Sequence, residues 1–586
     1  MEKKKREKKL ILEKVFFKDT SSYVILGIIA LVSIGLSAII LWFSKIRVDF
    51  TDFPIWLCIA FVSTVMAITG CVLRHKECYY YNSGGNIINK VMIALAVVFF
   101  GVLIVGSIGS GPMFQSKNLY NEVASFVETV GERNASNAFP NLLGKNNDTS
   151  NLPLVGDAEA IKKAETEMGK YPALGSQFGL HKEELTSQNI NGKLCYVIPL
   201  QPSDCFKWNS SEGAPGFFII DRNSGEVEYI EKAYFSTTSA PFGDNTYRVV
   251  NSYLDKAGIA GLTTDASPEV DDNKNLHFIT TVYHFKGVCG GYRQIDGVVD
   301  MNAHTKECSY YPLDKIPSWI DRVVPEDFFV TYLKNYGNYK EGFLNSIFGK
   351  KGVQTITEDS EAPEVGTEEN AYASSSIADY DVIYIDGICY YYTGWTSVGK
   401  EGASNGIMMM NSRDASIRYY PTYGVSEGKA QDVVEGLVAD KGYESTYPLL
   451  LKVAGEETYF HLMRDKNENL VGYAFCNYKD HTKAAYATSI DEAEAAYIKA
   501  LGKENDSDSL DESTLAKVKG KISDVRDEVV DGNTIYYVKV EGVNQIFSAY
   551  SKVNIDLVFA NIGDSIEIEY YESDSSIEAI KKCSIY

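Results

Sequence analysis

Three stretches of this sequence carry residue types at spacings that could do chemistry. Gly394 to Glu401, GWTSVGKE, has the GxxxxGK spacing of a loop that cradles phosphate with backbone N–H groups and a lysine. Glu401 stands where Ser or Thr would meet Mg²⁺, and its carboxylate would repel phosphate. The next residues, Gly402-Ala403-Ser404-Asn405-Gly406, cannot begin a long helix, so the stretch reads as a hairpin loop. Asp465-Lys466-Asn467-Glu468-Asn469 starts like a calcium loop. Leu470 takes the required glycine position and Cys476 the closing carboxylate position, which leaves a polar turn. His277 and His284 lie near Cys289 but along one strand candidate, which does not make a ligand set. No HExxH occurs, and the 71 carboxylates beyond residue 114 offer no unique acid–base pair. The expected site residues are therefore catalytic none, cofactor-binding none and metal none, with no cofactor.

The elements around these stretches are mostly hairpins. A fifteen-residue pattern recurs four times: GFFIIDRNSGEVEYI from Gly216, GVVDMNAHTKECSYY from Gly297, GIMMMNSRDASIRYY from Gly406 and GYAFCNYKDHTKAAY from Gly472. Each begins with Gly and has Asp221, Asn302, Asn411 or Asn477 at its sixth position, with Tyr229, Tyr310, Tyr419 or Tyr486 near its end. An apolar run, an Asx turn and an alternating run predict a β-hairpin. Preceding strands are expected over Leu194–Leu200, Phe278–Phe285, Val382–Thr393 and Thr458–Arg464. Helices are expected over Ala158–Lys170, Thr246–Ala257, Pro325–Tyr336, Gly428–Lys441 and Ile490–Leu501. Gly-to-Gly intervals of 81, 109 and 66 residues are too uneven for a solenoid and predict a cluster of small α+β modules.

A helix, a strand pair, then apolar–Asp–x–x–Ser/Thr–Gly–x–apolar resembles the PepSY domain of extracytoplasmic and membrane-anchored bacterial proteins. Phe217–Ile220, Asp221, Asn223, Ser224, Gly225, Glu226 and Val227 match best; Lys306, Ala415 and His481 replace the turn Gly in the later units. The resemblance covers about residues 156–502. It implies modules that bind or restrain partners, sometimes hydrolases, and carries over no catalytic residue.

The first fifth of the chain is different in kind. Thr20 to Ser44, Phe53 to Leu73 and Val91 to about Ile108 are free of Asp, Glu, Lys and Arg, and each is long enough to cross a hydrocarbon core of about 30 Å. Lys3, Lys4, Lys5, Arg6, Lys8 and Lys9 precede the first run, and Arg74, Lys76 and Lys90 separate the second and third. Only Lys45 and Arg47 lie between the first and second. This bias predicts a cytoplasmic N-terminus and residues 111–586 outside. Residues 1–114 carry 13 Lys/Arg and 7 Asp/Glu, which leaves −28 for the remainder of a chain at −22. Such a field repels nucleic acid. The seven external cysteines (Cys195, Cys205, Cys289, Cys308, Cys389, Cys476 and Cys583) are odd in number and scattered, and read as small buried hydrophobes. The 40 Tyr suit sugar stacking or protein interfaces, but the ordinary half-buried strand suits them better.

After a polar break come strand candidates Lys517–Val525, Thr534–Glu541, Ile546–Ser551, Ser565–Tyr571 and Ile577–Cys583, a pattern that resembles an OB-like barrel. The expected organisation is a basic tail (1–19), three transmembrane helices (20–110), a juxtamembrane segment (111–155) and a PepSY-like repeat ectodomain (156–502) with an acidic loop (357–379). A linker (503–513) and a small β-barrel (514–586) complete it. The fold class is membrane-anchored α+β. Expected partners are the lipid bilayer and a cell-envelope protein or glycan, with no nucleic acid and the oligomeric state open. The functional expectation is a noncatalytic binding or scaffold domain displayed outside the cell. An envelope enzyme with dispersed residues and a sensor acting through a cytoplasmic partner are the alternatives.

Overall fold

A computed structural model describes residues 20–81, 87–130, 152–211, 213–357, 380–385, 387–398, 403–467, 469–503, 516–530, 533–550, 555–570 and 577–586. The expected basic tail, nearly all of the acidic loop and of the linker, Gly399-Lys400-Glu401 and Glu468 lie outside the described residues. The chain divides into two compact units, Met1–Gly144 with Thr149–Glu494, and Lys145–Asp148 with Ala495–Tyr586.

The first unit opens with α1 (Thr20–Phe43), α2 (Phe53–Tyr81) and α3 (Ile87–Ser110), each long and apolar enough to cross a membrane. Of their polar side chains, Ser33, Ser63, Thr64 and Thr69 donate to the carbonyls four residues back on their own helices. That is the arrangement a hydrocarbon surround demands. α2 runs past Leu73 to Tyr81 and α3 begins before Val91, because the apolar criterion ends at the first charge and helical hydrogen bonding does not. Pro112 at the first turn of α4 (Pro112–Ala124) starts a new helix directly after α3.

Four sheets follow, and they share one plan. In the first, β2 (Phe178–Leu180) and β3 (Thr186–Ile190) both pair with β4 (Lys193–Pro202), followed by β5 (Phe217–Asp221) and β6 (Val227–Ile230). The second repeats this with β7 (Leu262–Thr263) and β8 (Ser267–Val270) on β9 (Leu276–Phe285), then β10 (Arg293–Asn302) and β11 (Cys308–Pro312). The third has β12 (Gln354–Ile356) and β13 (Asp381–Ile385) on β14 (Ile388–Ser397), then β15 (Ala403–Asn411) and β16 (Ile417–Val425), with β1 (Val127–Thr129) added in parallel. The fourth has β17 (Glu444–Ser445) and β18 (Leu449–Val453) on β19 (Glu456–Arg464), then β20 (Leu470–Asn477) and β21 (Ala484–Ala487). Val382–Thr393, expected as one strand, is the β13–β14 hairpin turned at Gly387 with φ 84°.

The recurring Gly and Tyr face each other across the last two strands of every sheet. A side chain on Gly216, Gly297, Gly406 or Gly472 would collide with the ring of Tyr229, Tyr310, Tyr419 or Tyr486. Asp221, Asn302 and Asn477 each accept two backbone N–H bonds in the turn, and Asn411 accepts one from Arg413. Gly225, Lys306 and Ala415 all take positive φ, so the turn geometry persists where the Gly does not. The fourth turn is one residue longer: Asn477 N–H bonds Lys483 O, whereas Asp221 N–H bonds Glu226 O.

Helices α5 (Asp157–Met168), α6 (Thr246–Ala257), α7 (Glu326–Tyr339) and α8 (Glu427–Gly436) contact successive sheets. The first two sheets share one core, in which Val197, Phe217, Phe278 and Met301 are buried together. Buried polar links tie sheet to sheet: Arg222 from the first reaches Asp381 and Val382 O of the third, and Arg413 from the third takes the carbonyls of Pro317 and Ile320. The modules are separate sheets within one compact unit.

The division falls within α9 (Ile490–Ala500), and the second unit holds a closed barrel. Its order is β22 (Ala516–Val530), β23 (Asn533–Val540), β24 (Ile546–Tyr550), β26 (Ile577–Ile585), β25 (Ser565–Tyr570), with β24 and β26 parallel around Ile522, Val538, Phe547 and Ile566.

Candidate functional site

The residues weighed for chemistry do not converge. Gly394 sits within β14, where any side chain would strike the Glu427 carboxylate, so it is a packing glycine rather than the start of a phosphate cradle. Asp465 uses its carboxylate on the backbone N–H groups of Asn467 and Asn469 and on the Asn469 amide, which makes a turn between β19 and β20. His277 is buried and bonds Asp300 at 2.6 Å, with the Trp319 ring 4.8 Å away and tilted by 57°. His284 bonds Asp296 at 2.8 Å, and Cys289 packs at the β9–β10 tip beside Gly106 of α3. These are three separate places. Among the described residues no group of three His, Cys, Asp or Glu could hold a metal ion. A Ser445–His461 contact of 2.7 Å brings a hydroxyl to an imidazole, but burial lowers His461 to about 3, which makes it a poor base at neutral pH.

A cleft of about 410 Å³ is the more promising feature. It is lined by the loop joining α1 to α2 (Ser44–Arg47 and Asp52) together with Tyr247, Leu262–Asp265 and Tyr283. Contacts from the ends of the three helices build its surroundings. Arg47, 8 % exposed, donates to Gly261 O at 2.6 Å, Ile259 O at 2.8 Å and Asp255 Oδ1 at 2.9 Å. It thereby closes the C-terminal end of α6, where Gly258 adopts φ 68° and the helix dipole favours a cation. Asn251 of α6 donates to Lys45 O, and Arg248 stacks 3.8 Å from the Trp42 ring at the end of α1. Thr51 accepts Gly290 N–H, and Ser110 donates to Val288 O at 2.7 Å. One end of α1, α2 and α3 is thus bonded to the second sheet and its helix.

The cleft offers mixed polarity. The Lys45 ammonium lies 4.8 Å over the Tyr247 ring, and burial, then Arg248, lowers its pKa despite the opposing Glu184 and Asp265. Burial raises Asp52, against the bond its carboxylate accepts from Phe53 N–H. Tyr247 donates to Asp265 at 3.3 Å, and Thr264 accepts Thr281 N–H. One ammonium, two carboxylates, two phenols and three hydroxyls can hold a small polar molecule that both donates and accepts. Sequence reasoning missed this site. It treated Lys45 and Arg47 only as a minority in the topology count, and their partners lie some two hundred residues away.

No family model matches the chain, and no curated protein matches it. Solved structures similar to the chain at 10 % identity include a levansucrase from Bacillus subtilis, over 81 % of this chain and 96 % of that one, and a mutant B. megaterium levansucrase, over 69 % and 84 %. Both superpose with a TM-score of 0.17, an overlap too small to carry an argument about fold or activity.

Proposed function

We propose that this is a multi-pass membrane protein that presents a noncatalytic extracytoplasmic binding or scaffold domain built of PepSY-like modules and an OB-like barrel. The observation that carries it is the bonding of Arg47, Thr51 and Ser110 to the second sheet's module (the end of α6 and the β9–β10 tip), which fixes a large acidic domain at one end of three apolar helices. The Lys/Arg bias of the other end supports an outward orientation for that domain. Four sheets of one plan, each with a helix, support the PepSY-like reading. The barrel order, with its first strand between the second and fourth, supports the OB-like one. A domain so anchored holds an envelope protein or glycan at high local concentration by the surface. Protease added to intact cells is expected to degrade residues 152–586. Resistance before lysis with cleavage after it overturns the orientation, and turnover of wall or peptide substrates by the purified chain overturns the noncatalytic reading.

The cleft favours a second reading, a sensor. A ligand there touches the α1–α2 loop and the second module at once, so its binding energy bears on both helix ends and sheet. Disulfide crosslinking between α1 and α3 that changes with ligand is the expected signature.

A further inference from the structure

Residues 342–351 form an exposed apolar turn, uncovered among the described residues. Leu344 is 65 % exposed and Phe348 81 %, with Ile347 exposed beside them. The turn is not slack. Asn345 ties it shut, its side chain donating to Lys351 O at 3.0 Å and accepting Lys351 N–H at 3.1 Å, while Lys350 N–H bonds Asn345 O at 2.6 Å. A closed turn that holds large apolar side chains in solvent marks an interaction surface.

Two observations say what covers it. The first is position. Along α7, Val323 O just before the helix accepts the Thr281 hydroxyl, Phe328 packs on Tyr283 and Tyr332 stacks on Tyr292. The helix therefore descends toward the β9–β10 tip, whose Val288 O is bonded by Ser110 at the end of α3. Tyr336 stacks on Tyr120 of α4, the helix that leaves α3. The turn follows α7 in the chain, beginning three residues after Tyr339. The second is charge. Lys334–Gly352 holds four Lys and one Glu, within a region after residue 114 that carries −28.

We propose that Leu344, Ile347 and Phe348 insert into the headgroup layer of the bilayer that holds α1–α3, with Lys350 and Lys351 paired to anionic lipid. Apolar side chains in front of lysines are the composition that binds such an interface. The proposal rests on the membrane reading above, and its test separates the two.

The full chain carrying Phe348→Trp is placed in nanodiscs of neutral phosphatidylcholine or of a phosphatidylglycerol mixture, with brominated acyl chains as quencher. The expected result is emission shifted to the blue and quenched in the anionic discs, with at least a twofold loss of that quenching on adding Lys350→Glu and Lys351→Glu. The wild-type chain, whose five Trp include Trp42 and Trp56 at the ends of α1 and α2, is the control, and its signal is subtracted to read the introduced indole. Quenching of those two while the introduced indole stays in water overturns insertion and leaves the membrane reading standing. Absence of both overturns both. Shielding of the introduced indole in the purified chain without lipid means that a second copy covers the turn, and also overturns the proposal.

Discussion

Arg47 Nη2 lies 2.9 Å from Asp255 Oδ1, yet the two residues are unequal partners: the Arg47 side chain is 8 % exposed and that of Asp255 70 %. Exposed carboxylates contribute little to such a pair, about 0–1 kcal/mol. The buried guanidinium also satisfies the carbonyls of Gly261 and Ile259, and leaving those bare costs about 1–3 kcal/mol each. Arg47→Ala is expected to lower the thermal midpoint in detergent clearly and to speed hydrogen exchange at the end of α6. Asp255→Ala should hardly move either. Equal effects would mean that the ion pair, not the carbonyl cap, joins loop to domain.

Each module rests on one Gly–Tyr contact. Tyr310, Tyr419 and Tyr486 lay their rings over Gly297, Gly406 and Gly472 and donate to the carbonyls of Asp296, Asn405 and Val471 at 3.0–3.1 Å. Gly297→Ala is expected to destabilise by about 1–3 kcal/mol through overpacking, because the new methyl meets both the ring and Tyr311 O. Tyr310→Phe keeps the ring and loses one hydrogen bond, about 1 kcal/mol. Urea titration ranks the two; a milder effect from the Gly change removes close packing as its reason for being there.

The Lys45 ammonium, whose pKa burial and Arg248 lower, should react with acetic anhydride at pH 8.5 ahead of exposed lysines. Arg248→Gln removes a lowering charge and should slow the reaction; Asp265→Asn removes a raising one and should quicken it. Peptide mass spectrometry reads the acetylated fraction. No response to either variant would place the ammonium outside the cleft's field.

The hairpins were legible in the sequence because their signals are local: Gly at the strand start, Asx at the turn and Tyr opposite lie within fifteen residues. The helices were legible for the same reason. The split edge strands were not, since Leu262–Thr263 and Glu444–Ser445 are too short to show a period. Asp386-Gly387 does carry a hairpin-turn signal, and the apolar run on either side hid it. The cleft was illegible for another reason. Lys45 and Arg47 gain meaning only from Tyr247, Asp255 and Gly261, which no short window connects.

Glu427 begins α8 and is fully buried, among tyrosines whose hydroxyls respond to it: burial, then the Glu427 charge, pushes Tyr392 and Tyr459 well up. Burial raises Glu427 itself to about 7 from 4.5. Its folded-state pKa is thus above the unfolded one, so the native chain binds a proton that the unfolded chain releases. That contribution is complete below pH 4.5 and fades as pH rises through about 7, a swing on the order of 3 kcal/mol. Glu427→Gln carries no proton to lose. Its urea midpoint, compared with wild type between pH 5 and pH 8, is expected to fall less with pH and to exceed wild type at pH 8. Parallel slopes for the two proteins would show that Glu427 stays ionised throughout, held by the helix dipole rather than neutralised by burial.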